Sequence, residues 1–525
     1  MRSALALAFA HPRKLALLLG ALAATGFEPL RLWPLALVVL AGLIELIASA
    51  ASLRQALLLG WLFGVGHFTI SNTWIAAAFT HQAAMPAWLG WIAVVGIALY
   101  LAVWPALAAG LAWRFGRANR AALILSFAAS WILTEWLRGW VFTGFPWNPL
   151  AVLALGPFGR PGLASLAPWL GTYALSGLVV MLAGAWLLAA RRGKADWSGA
   201  ALVLVPLALL GLLPGKSSVS APAKGPAYTL VQPFTPQDVL HDPGQYEASF
   251  QRAMRLSQAR TPGQVRLVLW PESGLPDFLH EGYPQAWYDA TTYGADPAAA
   301  RARIGRMIGA NGLLLTGNDQ LEVQGGRVVG ARAGIAAIDS TGRIRETYAK
   351  AHLVPYGEYV PLKWLLEPLG LSRFVPGDIE FWPGPGRRTL DLGPWGKGGM
   401  LLCYEVIFSG EVTQRGKRPD FLFNPSNDGW YGAWGPPQHL AQARLRAIEE
   451  GLPVLRSTTT GISAVIDAEG TVVQAVPFGK AGRLDGMMPP PKPPTLFAQL
   501  GNMLALGWAA ALLALSAVAS RRHWG

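Results

Sequence analysis

The chain has a single thiol, Cys403. It closes the run Gly398-Gly399-Met400-Leu401-Leu402-Cys403, apolar up to the cysteine, and polar Tyr404 and Glu405 follow. The pattern is that of a buried strand handing its last side chain to a sheet edge, where active sites are often built. A packed cysteine explains the run too, because free Cys is among the most buried residue types. Two other stretches favour chemistry. Leu267-Val268-Leu269-Trp270-Pro271-Glu272 carries a strand pattern into a proline and then a carboxylate. A solvated turn glutamate is the plain alternative there. Tyr348-Ala349-Lys350 ends a further strand pattern and is followed by an aromatic turn bearing Glu358. For Lys350 the plain alternative is a solvent-facing side chain.

A thiol is weakly ionised at neutral pH and needs a base and a nearby cation to become a thiolate. Glu272 has the chemistry to take the proton. Lys350 has the charge to steady the thiolate and then the oxyanion of a tetrahedral intermediate, together with a backbone N–H after Cys403. Other nucleophilic apparatus is harder to build from this chain. No Gly-x-Ser-x-Gly elbow is present. The eight His residues form no His-x-x-x-His or Cys/His cluster, so no metal site is expected.

The elements that must position these residues divide into two kinds. The chain is 525 residues long, too long for one ordinary domain, with 52% hydrophobic and only 14% charged residues and 23 Trp. One Cys excludes an intrachain disulfide. Residues 1–220 contain apolar segments near 15–30, 33–50, 55–75, 87–112, 121–140, 166–190 and 196–213, and another follows at about 495–519. Most approach the roughly 20 residues that cross a bilayer as helix. A cleaved signal peptide is rejected for the first, because span follows span.

The net charge of +13 does not point to nucleic acid. Residues 221–490 hold 26 basic and 26 acidic residues, whereas 1–220 hold 14 and 4, and 491–525 hold 3 and none. The excess therefore lies beside the hydrophobic segments, as membrane orientation requires. Of the 17 basic residues outside 221–490, 12 fall on alternate connections, among them Arg13, Lys14, Arg54, Arg114, Arg117, Arg120, Arg191, Arg192 and Lys194. Those connections are expected in the cytoplasm and residues 214–490 on the far side. Within the spans, Glu45 is either functional or a protonated or paired carboxyl. Glu135 and Arg138 share a helix face and can pair.

Residues 214–225 are a linker by composition. Gly215-Lys216-Ser217 is not a phosphate loop, since Leu210 stands where the motif needs glycine. Beyond it the pattern becomes α/β, with strands expected at 228–231, 265–270, 312–316, 334–338, 399–403, 421–423 and 464–466, and helices at 244–258, 296–309 and 436–450. The stretch Trp364-Leu365-Leu366-Glu367-Pro368-Leu369 through Phe374 is apolar but broken by Pro368 and Gly370. It is expected to be a mobile lid that dips Trp364, Leu366, Leu369 and Phe374 into the outer leaflet; a buried core segment is the alternative.

Glu, Lys and Cys in this order resemble the apparatus of the nitrilase superfamily. The whole chain resembles its membrane-bound branch, the apolipoprotein N-acyltransferases. The motifs that carry the likeness are Trp270-Pro271-Glu272, the stretch from Lys350 to Pro361, Leu402-Cys403-Tyr404-Glu405, Asn424 to Gly432, Pro437-Gln438-His439, Arg444 to Glu449, Arg456 to Gly461 and Gly144 to Pro149. The resemblance implies a membrane domain of about seven helices over 1–220, an α/β domain with an α-β-β-α sandwich over 221–490, and a last helix over 491–525. It implies transfer of an acyl chain from a phospholipid to the α-amino group of the S-diacylglyceryl cysteine of a bacterial apolipoprotein, the final step of lipoprotein maturation. The partners would be those two substrates and the bilayer, with no nucleic acid and no cofactor. The place would be the cell inner membrane, with the catalytic domain in the periplasm. Glu272, Lys350 and Cys403 fall on the family's catalytic positions. Glu358, Tyr404, Glu405 and Trp430 fall on supporting ones. His241 stands where family members often carry tryptophan. The same three residues would also serve a membrane-tethered amidase or nitrilase. A transporter with an external domain is the reading from another class.

Overall fold

The computed structural model describes residues 10–81, 86–192, 225–240, 242–361, 363–366, 368 and 379–521. The N-terminal part is a bundle of α1 (Pro12–Ala24), α2 (Trp33–Ala48), α3 (Leu53–Ser71), α4 (Leu89–Leu101), α5 (Val103–Gly116), α6 (Arg120–Arg138) and α7 (Ala167–Arg192). Among the described residues, four helices are long and apolar enough to cross a membrane: Leu89–Gly116, Arg120–Arg138, Leu163–Ala189 and, near the C-terminus, Met503–Arg521. The expected segment at 196–213 lies outside the described residues. The expected segment at 87–112 is two helices that meet at Ala102. Pro105 follows at once, and a proline in the third position cannot donate the hydrogen bond that would have joined them. Asn119 starts α6 by accepting the Ala122 N–H at 2.9 Å.

The rest of the chain is two facing six-stranded sheets. The first has the order β14-β1-β2-β3-β6-β7, built from β1 (Ala227–Gln232), β2 (Arg266–Leu269), β3 (Gly312–Gly317), β6 (Gly334–Asp339), β7 (Ile344–Ala349) and β14 (Gly482–Met487). The second has the order β13-β12-β11-β10-β9-β8, from β8 (Thr389–Asp391), β9 (Lys397–Met400), β10 (Phe421–Ser426), β11 (Val454–Thr458), β12 (Ser463–Ile466) and β13 (Val472–Val476). A hairpin of β4 (Gln320–Gln324) and β5 (Arg327–Arg332) stands apart.

Period-2 alternation explains the layering. Leu267 and Leu269 of β2 and Leu313 and Leu315 of β3 point between the sheets, where they meet Phe421, Phe423 and Leu455. Their neighbours Val268, Trp270 and Leu314 point the other way. There they pack on Phe250 and Ala253 of α8 (Tyr246–Ser257) and on Ala300 and Ile304 of α9 (Pro297–Ile308). The second sheet is covered by α10 (Gly435–Glu450), which completes an α-β-β-α sandwich.

Helix α10 also joins the two parts of the molecule. Leu440, Ala443 and Ala447 face the sandwich core, and Ala441, Leu445 and Ile448 face the core of the helix bundle. Its buried Arg444, Arg446 and Glu449 are satisfied in part by groups of the helix bundle. Arg444 donates to the carbonyls of Gly156 (2.8 Å), Pro157 (3.0 Å) and Arg160 (2.8 Å). Glu449 accepts the Thr172 N–H at 2.5 Å and pairs with Arg446 at 2.7 Å. The last helix is α11 (Met503–Arg521).

The Glu135–Arg138 pair expected inside α6 exists, at 3.6 Å and buried on both sides. It holds a loop: Glu135 accepts the Leu150 N–H at 3.0 Å, and Arg138 donates to the Trp147 carbonyl at 2.8 Å. Glu45 is paired with Arg120 at 3.0 Å.

Candidate active site

The three candidates arrive from both sheets at one edge of the sandwich. Glu272 follows β2, Lys350 follows β7 and Cys403 follows β9. Lys350 Nζ lies 2.7 Å from Glu358 Oε1 and 3.6 Å from Glu272 Oε1. The second Glu272 oxygen accepts the Asn427 N–H at 2.8 Å, and the carboxyl is hydrogen-bonded to Cys403 as well. Gly317 backs onto this glutamate so closely that a β-carbon there would lie 2.7 Å from the Glu272 Cα. Burial raises the Glu272 carboxyl above its ordinary value, against the pull of Lys350. Burial works to lower Lys350, but Glu358 and Glu272 outweigh it, so the ammonium holds its proton. Burial, reinforced by Glu272, pushes the Cys403 thiol up, and Lys350 opposes this. In the resting site the thiol is therefore protonated beside its base.

Cys403 is not the last residue of a strand, as its apolar run suggests. Strand β9 ends at Met400, and Cys403 opens a 3-10 turn over Cys403–Ile407 with φ of +49°. A left-handed backbone at a residue with a β-carbon costs roughly 1–2 kcal/mol. The turn is held by its own carbonyl, which accepts from Asn424 Nδ2 at 3.2 Å and faces His439 Nε2 at 3.2 Å. Burial lowers His439 to about 4, so the ring is neutral and has one N–H. That proton belongs on Nε2, whose partner, the Cys403 carbonyl, can only accept, while Nδ1 lies 2.9 Å from the Arg456 guanidinium and 3.1 Å from Asp428 Oδ1 and accepts from the arginine. Both Asp428 oxygens accept from Arg456 at 2.7 Å. The Tyr404 N–H, the first after the nucleophile, has no acceptor within the turn and is available for an oxyanion, whereas that of Glu405 donates to the Leu402 carbonyl at 3.2 Å.

Glu405 ties the site together. Its Oε1 accepts the N–H groups of Ala351 (2.8 Å) and His352 (3.0 Å), and its Oε2 accepts that of Leu402 (2.7 Å). The Tyr348 hydroxyl donates to both oxygens, at 2.8 and 2.9 Å. One buried carboxylate thus joins the end of the Lys350 strand to the Cys403 turn. Tyr404 points toward the bundle and donates to the Gly144 carbonyl at 3.2 Å. Trp430 is half-buried against His81, with ring centroids 6.0 Å apart. Trp364 is 76% exposed on the short helix Lys363–Leu366; Leu369 and Phe374 lie outside the described residues, as does His241.

Several residues at the site carry no signal in the sequence that separates them from packing. Asn424, Asp428, His439 and Arg456 lie inside quoted motifs, but no spacing assigns them to the Cys403 carbonyl. Asp319 is another. It follows β3, and desolvation together with the charges of Glu272 and Glu358 pushes its carboxyl up to about 7. Among the described residues no group of three or more His, Cys, Asp or Glu is arranged to hold a metal ion.

Two facing sheets flanked by helices, with a carboxylate, a lysine and a strained cysteine turn meeting at one edge, define a carbon–nitrogen hydrolase-type domain. Residues 235–485 match the carbon-nitrogen hydrolase family model. The helix bundle narrows the class: residues 19–185 match the apolipoprotein N-acyltransferase N-terminal domain. A protein named apolipoprotein N-acyltransferase from Rhodopseudomonas palustris is 34% identical over 511 residues, 94% of this chain and 92% of that one. One of the same name from Bradyrhizobium diazoefficiens is 33% identical, over 96% and 94% of the two chains. The chain belongs to the apolipoprotein N-acyltransferase family. Among solved structures, the amidase from Nesterenkonia sp. AN1 is 17% identical over 55% of this chain and 94% of that one, with a TM-score of 0.34.

Proposed function

We propose that the protein N-acylates lipoproteins, moving an acyl chain from a phospholipid to the α-amino group of a diacylglyceryl-cysteine through a thioester on Cys403. The observation that carries this reading is the meeting of Glu272, Lys350 and the Cys403 turn at a sandwich edge that is joined to apolar helices. Glu272 takes the thiol proton as sulfur attacks the ester carbonyl. A C–S bond forms, the C–O bond breaks, and the same proton goes to the departing lysophospholipid oxygen. The amine of the acceptor then attacks the thioester, the C–N bond forms, sulfur leaves, and Glu272 accepts the amine proton. Lys350 and the Tyr404 N–H offset the oxyanion charge in both steps. No cofactor enters these steps, because an ester and a thioester are already activated.

Location follows from the substrates, since both are lipids and reach the site from the bilayer. The split of basic residues between the connections supports a catalytic domain in the periplasm of a bacterium, with the spans in the inner membrane. The lid over the lipid entrance is assigned to the stretch carrying Trp364, Leu366, Leu369 and Phe374, and the 76% exposure of Trp364 supports this. The deciding experiment is the intact mass of the enzyme after exposure to phospholipid vesicles alone. An acyl-sized gain is expected on the wild type and none on Cys403→Ser. An unmodified wild type that still transfers acyl chains would exclude the thioester.

A further inference from the structure

We propose that the Tyr431 hydroxyl is a catalytic hydrogen-bond donor to the Cys403 sulfur, a fourth side chain that steadies the thiolate. The proposal rests on the reading of Cys403 as nucleophile. Tyr431 ends the short turn Asp428–Tyr431 that follows β10, and so approaches the sulfur from the second sheet while Glu272 and Lys350 approach from the first. Its oxygen lies 3.6 Å from Sγ, within hydrogen-bonding range for sulfur.

The ring has little freedom to turn away. It is buried and packed against Trp74, Trp147 and His439, with centroids 4.8, 5.7 and 5.7 Å away. Trp147 is itself fixed by a 2.7 Å bond to Gln438, on the helix that carries His439. Among the described residues, the Cys403 sulfur is the one hydrogen-bond partner of the Tyr431 hydroxyl. A buried hydroxyl left without a partner is costly, so this one is directed at sulfur.

Direction of donation follows from charge. Once Glu272 holds the thiol proton, sulfur has no hydrogen and can only accept. Burial and the neighbouring Cys403 charge hold the phenol well above its ordinary value, so its proton stays on oxygen. Tyr431 therefore gives up no proton in the cycle. It donates to sulfur when the nucleophile forms, and again when sulfur leaves the thioester. The other ionisable groups that face Cys403 are Glu272, Lys350 and Asp428. His439, which touches the Cys403 carbonyl, is neutral above about pH 4. Across the neutral range the titration of the thiol is thus set by Glu272, Lys350 and the Tyr431 hydroxyl.

The test is the pH dependence of Cys403 alkylation by iodoacetamide in the full-length protein in detergent, read by intact mass. Cys403 is the sole thiol, so the label reports it alone. Tyr431→Phe keeps the ring and removes the donor. A hydrogen bond to a charged group is worth enough that the alkylation midpoint should rise by about one to two pH units, with roughly 10- to 100-fold slower labelling at neutral pH. The turnover of acyl transfer should fall with it while the KM for phospholipid stays put. Replacing Tyr431 by a fluorinated tyrosine, whose hydroxyl is a stronger donor, should move the midpoint down, and this arm serves if the Phe variant folds poorly. Coincident profiles for wild type and either variant would overturn the proposal. Labelling requires no lipid, so a shifted midpoint in a protein that transfers no acyl chain would retain the donor and reject the function proposed above.

Discussion

Glu405→Gln is the sharpest test of how the site is held together. The wild-type carboxylate only accepts, and the donors from Ala351, His352, Leu402 and Tyr348 all point at it. Glutamine is the same size but replaces one oxygen by an NH2 group. The amide oxygen belongs at the Oε1 position, where three donors converge. The NH2 group then faces the Leu402 N–H, which lies 2.7 Å from the oxygen it replaces. A charge-assisted bond is lost and two donors oppose each other in a buried site. The cost is about 2–3 kcal/mol. For a domain of this size the melting temperature should drop by about 4–12 °C. Leu402 precedes the nucleophile, so the Cys403 turn and the Lys350 strand end also lose their common tie. A misplacement of about 1 Å costs on the order of 100-fold in rate. Thermal unfolding of the purified protein in detergent reads the first effect, and the rate of acyl-adduct formation from vesicles reads the second. A Gln variant that melts within about 1 °C of wild type and acylates at the same rate would refute the role given to Glu405.

Lys350→Ala should lower adduct formation by roughly 10²–10³-fold, the usual cost of an oxyanion donor; a loss of only a few-fold would remove the lysine from the chemistry. His439 makes stability depend on pH. Its folded value of about 4 lies below the ordinary 6.5, so the unfolded chain takes the proton first. Its contribution is full above pH 6.5, is lost as pH falls towards 4, and amounts to about 3 kcal/mol. Denaturation midpoints measured from pH 7 to 4 should fall for wild type more steeply than for His439→Asn, and parallel curves would contradict this. Replacing Leu366, Leu369 and Phe374 together by Ser should slow transfer from bilayer phospholipid far more than from a short-chain, water-soluble ester. Equal losses with a lowered melting temperature would show a core segment instead. Reporters fused after Lys194 and near Ser218 should fall in the cytoplasm and outside it, respectively; finding both on one side would show that 196–213 does not cross.

Much of this molecule is local and is readable as such. Apolar length marks the helices, because a bilayer sets a minimum run. Alternation in 267–270 separates residues that face the second sheet from those that face α8 and α9, because side chains of a strand alternate. Helices at 244–258, 296–309 and 436–450 correspond to Tyr246–Ser257, Pro297–Ile308 and Gly435–Glu450. Six strands are not evident from pattern alone, among them β8 and β14. Their sequences Thr-Leu-Asp and Gly-Arg-Leu-Asp-Gly-Met are those of part-exposed edge strands, and such strands need no apolar run.

The order Glu272, Lys350, Cys403 is also visible in the chain, since each sits where a strand pattern ends. What these residues touch is not. The left-handed backbone at Cys403 depends on Asn424 and His439 meeting its carbonyl, and the hydroxyl on its sulfur comes from Tyr431. The aromatic packing behind that hydroxyl depends on Trp147, whose partner Gln438 lies 291 residues away, and on a loop held by Glu135 and Arg138. Hydrophobic periodicity is a property of neighbours in sequence, so the sequence alone determined the layers of the sandwich and the apolar helices. Pairing of buried polar groups is a property of neighbours in space, and only the tertiary structure decided which donors and acceptors would surround the thiol.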